Sequence, residues 1–206
     1  MIDKISNSSN LRKYLIKEKR KNTIIFSLLV VFLVFNLVRC VHRKLGNLVG
    51  IIIYVFLYSF VIVEVINHIL NYINQINYSI MLLDNEYNEI DMELMQATRD
   101  KFKNNILMEN YFMDFNTDNF FKFSDVIFLY NKTIFSTANM RNTSNYVYLL
   151  TLDGLLLKVL NWTFRRTEGE GNDIYELLTK KCSNALVGKT KENINFIRKN
   201  YNFKIK

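Results

Sequence analysis

The chain has 206 residues, 50% of them hydrophobic and 14% aromatic, with no proline, two cysteines and a formal charge of +8. Two cysteines as far apart as Cys40 and Cys182 exclude a disulfide framework of the secreted type. Only His42 and His68 are present, both beside apolar runs, so no histidine-dependent triad or general base can be assembled in the carboxyl-terminal half.

In chain order, residues 1–22 form a basic tail, with Lys4, Arg12, Lys13, Lys17, Lys19, Arg20 and Lys21 against Asp3 and Glu18. Two apolar runs follow, Thr23 to Val38 and Leu48 to Val63, separated by the basic turn Arg39-Cys40-Val41-His42-Arg43-Lys44. Each run spans about 24 Å at 1.5 Å per residue, slightly under the hydrocarbon thickness of a bilayer. Their side chains favour insertion over water residue by residue. Residues 23–66 are therefore expected to form a two-helix transmembrane hairpin in the cell membrane. Lys and Arg resist translocation, and the tail holds more of them than the turn, so both termini are expected in the cytoplasm. Basic residues there also suit anionic lipid headgroups.

Gly46 and Gly50 stand four apart at the start of the second run, a spacing that permits close helix approach. Glu64 ends that run, with His68 one turn later, and is expected to form an interfacial pair with it. Beyond, Ile66, Ile69, Ile73, Ile76, Ile80, Leu83, Tyr87, Ile90, Leu94 and Ala97 recur at alternating spacings of three and four. That is a heptad seam. With no proline to break it, residues 67–98 are expected to form a long helical stalk. Its stripe needs cover, either from the stalk of another copy or from the chain's own downstream domain.

From residue 99 to 206 the texture changes to that of a soluble α+β domain. Strands are predicted over Ile106–Phe115, Phe120–Phe123, Val126–Thr137, Tyr146–Leu152 and Leu155–Thr163, all rich in aromatic or branched residues. Asp153-Gly154 predicts a type I′ hairpin turn. Residues 139–145 and 167–172 read as loops. A helix is predicted from Asp173, with Glu176 completing a capping-box-like pair, through Leu186, and Gly188 ends it. A sheet closed by a terminal helix has the outline of a small pleckstrin-homology-like domain. The basic stretch Lys189–Lys206, interleaved with Ile194, Phe196, Ile197 and Tyr201, is suited to a membrane surface or to packing back on the domain.

The segment Cys182-Ser-Asn-Ala185-Leu-Val-Gly188-Lys-Thr190-Lys-Glu192-Asn193 resembles the carboxyl-terminal part of a family of uncharacterised bacterial membrane proteins with two amino-terminal spans and a pleckstrin-homology-like domain. Relatives often carry proline soon after the cysteine, where this chain has Ser183 and Asn184. The resemblance implies a fold and a membrane location, and no activity.

No catalytic, cofactor-binding or metal-ligating residue is assigned. Cys40 and Cys182 are expected as free thiols, the carboxylate pairs Asp91/Glu93 and Glu168/Glu170 as solvated charge, and the Asn-x-Ser/Thr sequons as chance. Nucleotide loops and HExxH are absent. The expected function is a membrane-anchored, non-catalytic interaction or scaffold protein that self-associates through the stalk or acts alone. The alternatives are an anionic-lipid-binding module and an accessory subunit of a transport complex; no nucleic-acid partner is expected.

Overall fold

The computed structural model describes residues 5–43, 48–100, 104–135, 143–163, 173–201 and 203. It is an α+β arrangement: two long apolar helices, then antiparallel sheet, then carboxyl-terminal helices. Helix α1 (Ser8–Arg43) and helix α2 (Leu48–Asn85) run side by side, and α3 (Tyr87–Gln96) follows α2 directly. Asn7 caps α1, its side-chain oxygen accepting from the Asn10 amide at 2.8 Å, which satisfies one of the helix's unpaired donors. The Ser8 amide donates to Asp91 of α3. The basic tail is therefore built into the helical layer: Leu11 and Leu15 are fully buried, while Arg12, Lys13 and Lys17 on the same helix stay exposed.

Strands β1 (Thr98–Asp100), β2 (Asn105–Leu107), β3 (Tyr111–Asp114) and β4 (Asn119–Lys122) form one antiparallel meander. A 3-10 turn, Phe123–Asp125, leads into β5 (Val126–Phe135), β6 (Thr143–Thr151) and β7 (Leu156–Thr163). Helix α4 (Asp173–Lys181), strand β8 (Leu186–Val187) and helix α5 (Lys191–Tyr201) complete the described chain. The second sheet has the order β7-β6-β5-β8, with β8 parallel to β5.

The core lies between α2 and the two sheets. Every residue of β3 is buried, and Tyr111, Phe112, Phe120 and Phe121 are among the largest fully buried side chains. Ser79 of α2 donates to the Phe120 carbonyl at 2.9 Å, fastening helix to sheet. The inner face of the second sheet (Leu129, Val147, Leu149, Leu157 and Val159) joins the same core, as do Ile174, Leu178 and Cys182 from α4. The other face carries Phe128, Tyr130 and Leu150, covered by Ile194 and Ile197 of α5 and by Phe203. The carboxyl-terminal segment thus packs back on the domain.

Several local expectations need correction. Residues 106–115 form two strands, not one, because Met108 to Asn110 make a turn in which the Met108 amide donates to the Tyr111 carbonyl at 3.0 Å. The β6–β7 turn is not type I′: only Gly154 has positive φ (+78°), and Thr151 and Leu155 close a three-residue loop through the Leu155 carbonyl, the hairpin in which one left-handed residue follows a turn. Helix α4 stops at Lys181, since Leu186 and Val187 find β5 as a partner; Gly188 (φ +88°) then turns the chain into α5. Thr190 caps α5 by accepting from the Asn193 amide at 3.1 Å.

Another concerns the seam. Glu86 adopts φ −121° and ψ 26°, so the stalk kinks there without proline. Its carboxylate is held by Tyr111 and Lys122 of the sheet, and the new direction buries Ile90 and Leu94. Ile76, Leu83, Ile90 and Leu94 are covered from within the chain, whereas Ile66 and Tyr87 of the same seam are exposed. The strand expectation to Thr137 is described only to Phe135, and Thr143 to Asn145 belong to β6. The rest of the 139–145 loop, the 167–172 loop and Gly46 lie outside the described residues.

Candidate functional site

Where the helical pair meets the domain, a polar junction ties three elements together. The β3–β4 turn is organised by Asp114, which is buried and accepts from the Asn116 amide at 2.9 Å and the Thr117 hydroxyl at 2.7 Å. The turn closes at Asp118 with φ +56°, a left-handed conformation that aspartate adopts more readily than most residues. Asp118 is thereby presented to both helices. The Tyr14 hydroxyl of α1 donates to one carboxylate oxygen at 2.5 Å, and the Tyr72 hydroxyl of α2 donates to the other at 3.2 Å. Asn22 donates to the Tyr72 oxygen at 2.5 Å, and Lys19 donates to Asn77 at 2.6 Å. Desolvation raises the Asp118 pKa above its usual range, although the two tyrosine hydrogen bonds act in the opposite direction.

A second cluster stands at the other end of β4. Glu86 accepts from the Tyr111 hydroxyl and forms an ion pair with Lys122 at 2.9 Å. Burial pushes its pKa up, but the hydrogen bonds from Tyr111 and Lys122 and the charge of Lys122 outweigh it, so the net shift is downward. Arg12 and Asp84 pair at 2.6 Å on the exposed surface, a contact that adds little stability in water.

On the opposite side of the Asn22–Tyr72 contact from the domain, the helices change character. From Ile24 to Val38 on α1 and from Val49 to Leu70 on α2, large apolar side chains lie exposed, Phe32 by 62% and Phe56 by 73%. The two helices are long and apolar enough to cross a membrane. The exposed stretch of α2 measures about 32 Å at 1.5 Å per residue, longer than the run of uncharged residues suggested, because it passes Glu64 and His68. These two do not pair with each other. They line an open groove of about 340 Å³ between the helices, with Phe26, Leu29, Phe60, Val61 and Val65, and the His68 ring lies edge-on to Phe26 at 5.8 Å.

Cys40 and Cys182 are free thiols. Among the described residues no group of three His, Cys, Asp or Glu side chains could hold a metal ion. Sequence reasoning pointed to Glu64 and His68 but missed Asp118, Tyr14 and Tyr72; the left-handed turn over Asn116-Thr117-Asp118 was its only signal. Comparison with known proteins finds no matching family model, no matching curated protein and no matching solved structure.

Proposed function

We propose that the chain is a membrane-anchored, non-catalytic interaction or scaffold protein whose α+β domain is fixed to its anchor. One observation carries this reading: α1 and α2 run without interruption from an exposed apolar belt into the buried core, and Asp118 fastens both to the sheet just above the belt. A domain joined in that way presents its surface in one orientation to the bilayer, as a platform for a partner requires. The excess of Lys and Arg in α1 before Thr23 supports cytoplasmic termini. The succession of β1–β4, β5–β7 and a helix supports the pleckstrin-homology-like outline. Alkaline carbonate extraction of membranes is expected to leave the full-length protein in the pellet, and gentle solubilisation is expected to recover it with a stoichiometric companion. Release into the supernatant would refute the anchor, and recovery as a lone monomer would refute the scaffold.

A second reading has its own support. Lys13, Lys17 and Arg20 are exposed on α1 next to the belt, at spacings of four and three that place them on one helix face, where anionic headgroups would meet them. Exchange of neutral for acidic lipid in reconstituted membranes separates the readings: indifference of domain stability to lipid charge removes the second.

A further inference from the structure

The outer face of the second sheet carries a grid of tyrosines and lysines for which the anchoring reading has no use. Three strands contribute in register. Tyr130 of β5 stands opposite Tyr148 of β6, which stands opposite Lys158 of β7; in the next row Lys132 stands opposite Tyr146. Residues two apart on a strand share a face, so all five project to the same side. Tyr130 and Tyr148 stack with ring centroids 5.2 Å apart and planes 8° apart. Around the stack the ammonium groups lie over rings: Lys158 at 3.6 Å from the Tyr146 centroid, Lys189 at 5.3 Å from Tyr130 and Lys132 at 6.0 Å from Tyr148.

The chemistry of this floor is one-sided. Lys132 and Lys158 form no ion pair with a described carboxylate. Lys158 is partly withdrawn from water, and that desolvation lowers its pKa. A partly desolvated ammonium with no described carboxylate at hand is costly even with a ring beneath it. The cost falls once an oxyanion arrives, because charge-assisted hydrogen bonds to an anion are strong. Tyrosine hydroxyls add donors to the same floor. Helix α5 covers the Phe128–Leu150 end of the face and the buried Tyr130, so among the described residues the accessible part centres on Lys132, Tyr146, Tyr148 and Lys158, a small area that fits one compact anionic group better than an extended polymer.

We propose that Lys132, Lys158, Tyr146 and Tyr148 form a binding site for a phosphate-bearing anion, either a soluble phosphate compound or a lipid phosphate headgroup. The site depends on the second sheet alone and stands or falls separately from the anchor.

The test uses the full-length protein in discs of phosphatidylcholine, with lysine acylation followed residue by residue by mass spectrometry. One arm adds inorganic pyrophosphate to the solution; the other replaces part of the phosphatidylcholine with phosphatidic acid. Slowing of Lys132 and Lys158 acylation by about ten-fold at about ten times the half-saturating ligand concentration, with the exposed Lys180 and Lys199 unchanged, supports the site. Slowing in the first arm assigns a soluble ligand, in the second a headgroup, and in both a phosphate whatever its carrier. In whichever arm protects, Lys132→Gln and Lys158→Gln should each raise the half-saturating concentration about ten-fold. The wild-type footprint needs no variant to fold. Unchanged acylation in both arms would overturn the proposal, as would equal slowing at every exposed lysine, which is screening alone.

Discussion

The upper and lower halves of α1 and α2 are continuous in backbone yet opposite in surroundings. Above the Asn22–Tyr72 contact, Leu11, Leu15, Ile76 and Leu83 are fully buried; below it, Phe32, Phe35, Phe56 and Phe60 are exposed by more than 60%. The sequence pattern differs accordingly. The upper half interleaves Arg12, Lys17, Asn77 and Asp84 with its apolar residues, giving one face to the sheet and one to water. The lower half carries no charge from Thr23 to Val38 or from Leu48 to Val63 and exposes large apolar side chains along both runs, which a water-soluble surface does not sustain. Protein covers the first half, and the second is long and apolar enough to cross a membrane.

The largest effect should come from setting the two halves against each other. Leu83→Ala or Phe120→Ala should cost about 2–5 kcal/mol of domain stability through the cavity left behind. Phe56→Ala in the belt should leave the same unfolding curve, followed by near-ultraviolet circular dichroism, almost unchanged. Equal losses would erase the distinction between the halves.

Next in size is the junction. Asp118→Ala strands the Tyr14 and Tyr72 hydroxyls and puts alanine at φ +56°, for an expected loss of about 1–3 kcal/mol. Asp118→Asn, which tolerates the left-handed turn, should lose less. Hydrogen exchange over residues 14–22 should quicken in the alanine variant, and unchanged exchange would mean that the domain does not hold the helices.

The two ends of β4 should respond to acid with opposite sign. Glu86 has a lowered folded-state pKa, so its contribution is complete above the usual glutamate value and is lost as pH falls through the folded-state value. Asp118 has a raised one; protonation favours its folded state, so falling pH through that window adds stability. Thermal unfolding against pH should show a shallower acid loss in Glu86→Gln and a steeper net loss in Asp118→Asn. Parallel shifts in the two variants would contradict the assignment.

A smaller contrast concerns the thiols. Burial pushes the Cys182 thiol up to about 12, which suppresses the thiolate needed for alkylation. Native protein should therefore react with iodoacetamide at Cys40 well before Cys182, and faster reaction at Cys182 would show that α4 is not packed as described.

The α+β order, the apolar hairpin and the positions of β4, β5 and β7 were legible because long uniform patterns and branched-aromatic runs depend on little beyond the segment itself. The kink at Glu86 was not, since its cause lies in Tyr111 and Lys122, well over twenty residues away. Nor was β8: Leu186 and Val187 continue the α4 pattern until β5 offers a parallel edge. The seam was half legible. Its isoleucines mark a helix with a buried side, but spacing alone does not say whether a second copy or a sheet covers it. Asp118 was hidden for the reason that makes it useful, a single residue whose partners come from two distant helices.

The most direct test is a spin-label scan of α2 and α3 from Val49 to Met92 in full-length protein reconstituted into bilayers, comparing collision with oxygen and with a water-soluble nickel complex. Labels at Ile52, Phe56, Phe60 and Val63 should favour oxygen, Leu70 should mark the crossover, and Ile76 and Leu83 should be shielded from both. Nickel access along the lower half equal to that at exposed Met92 would contradict the membrane anchor.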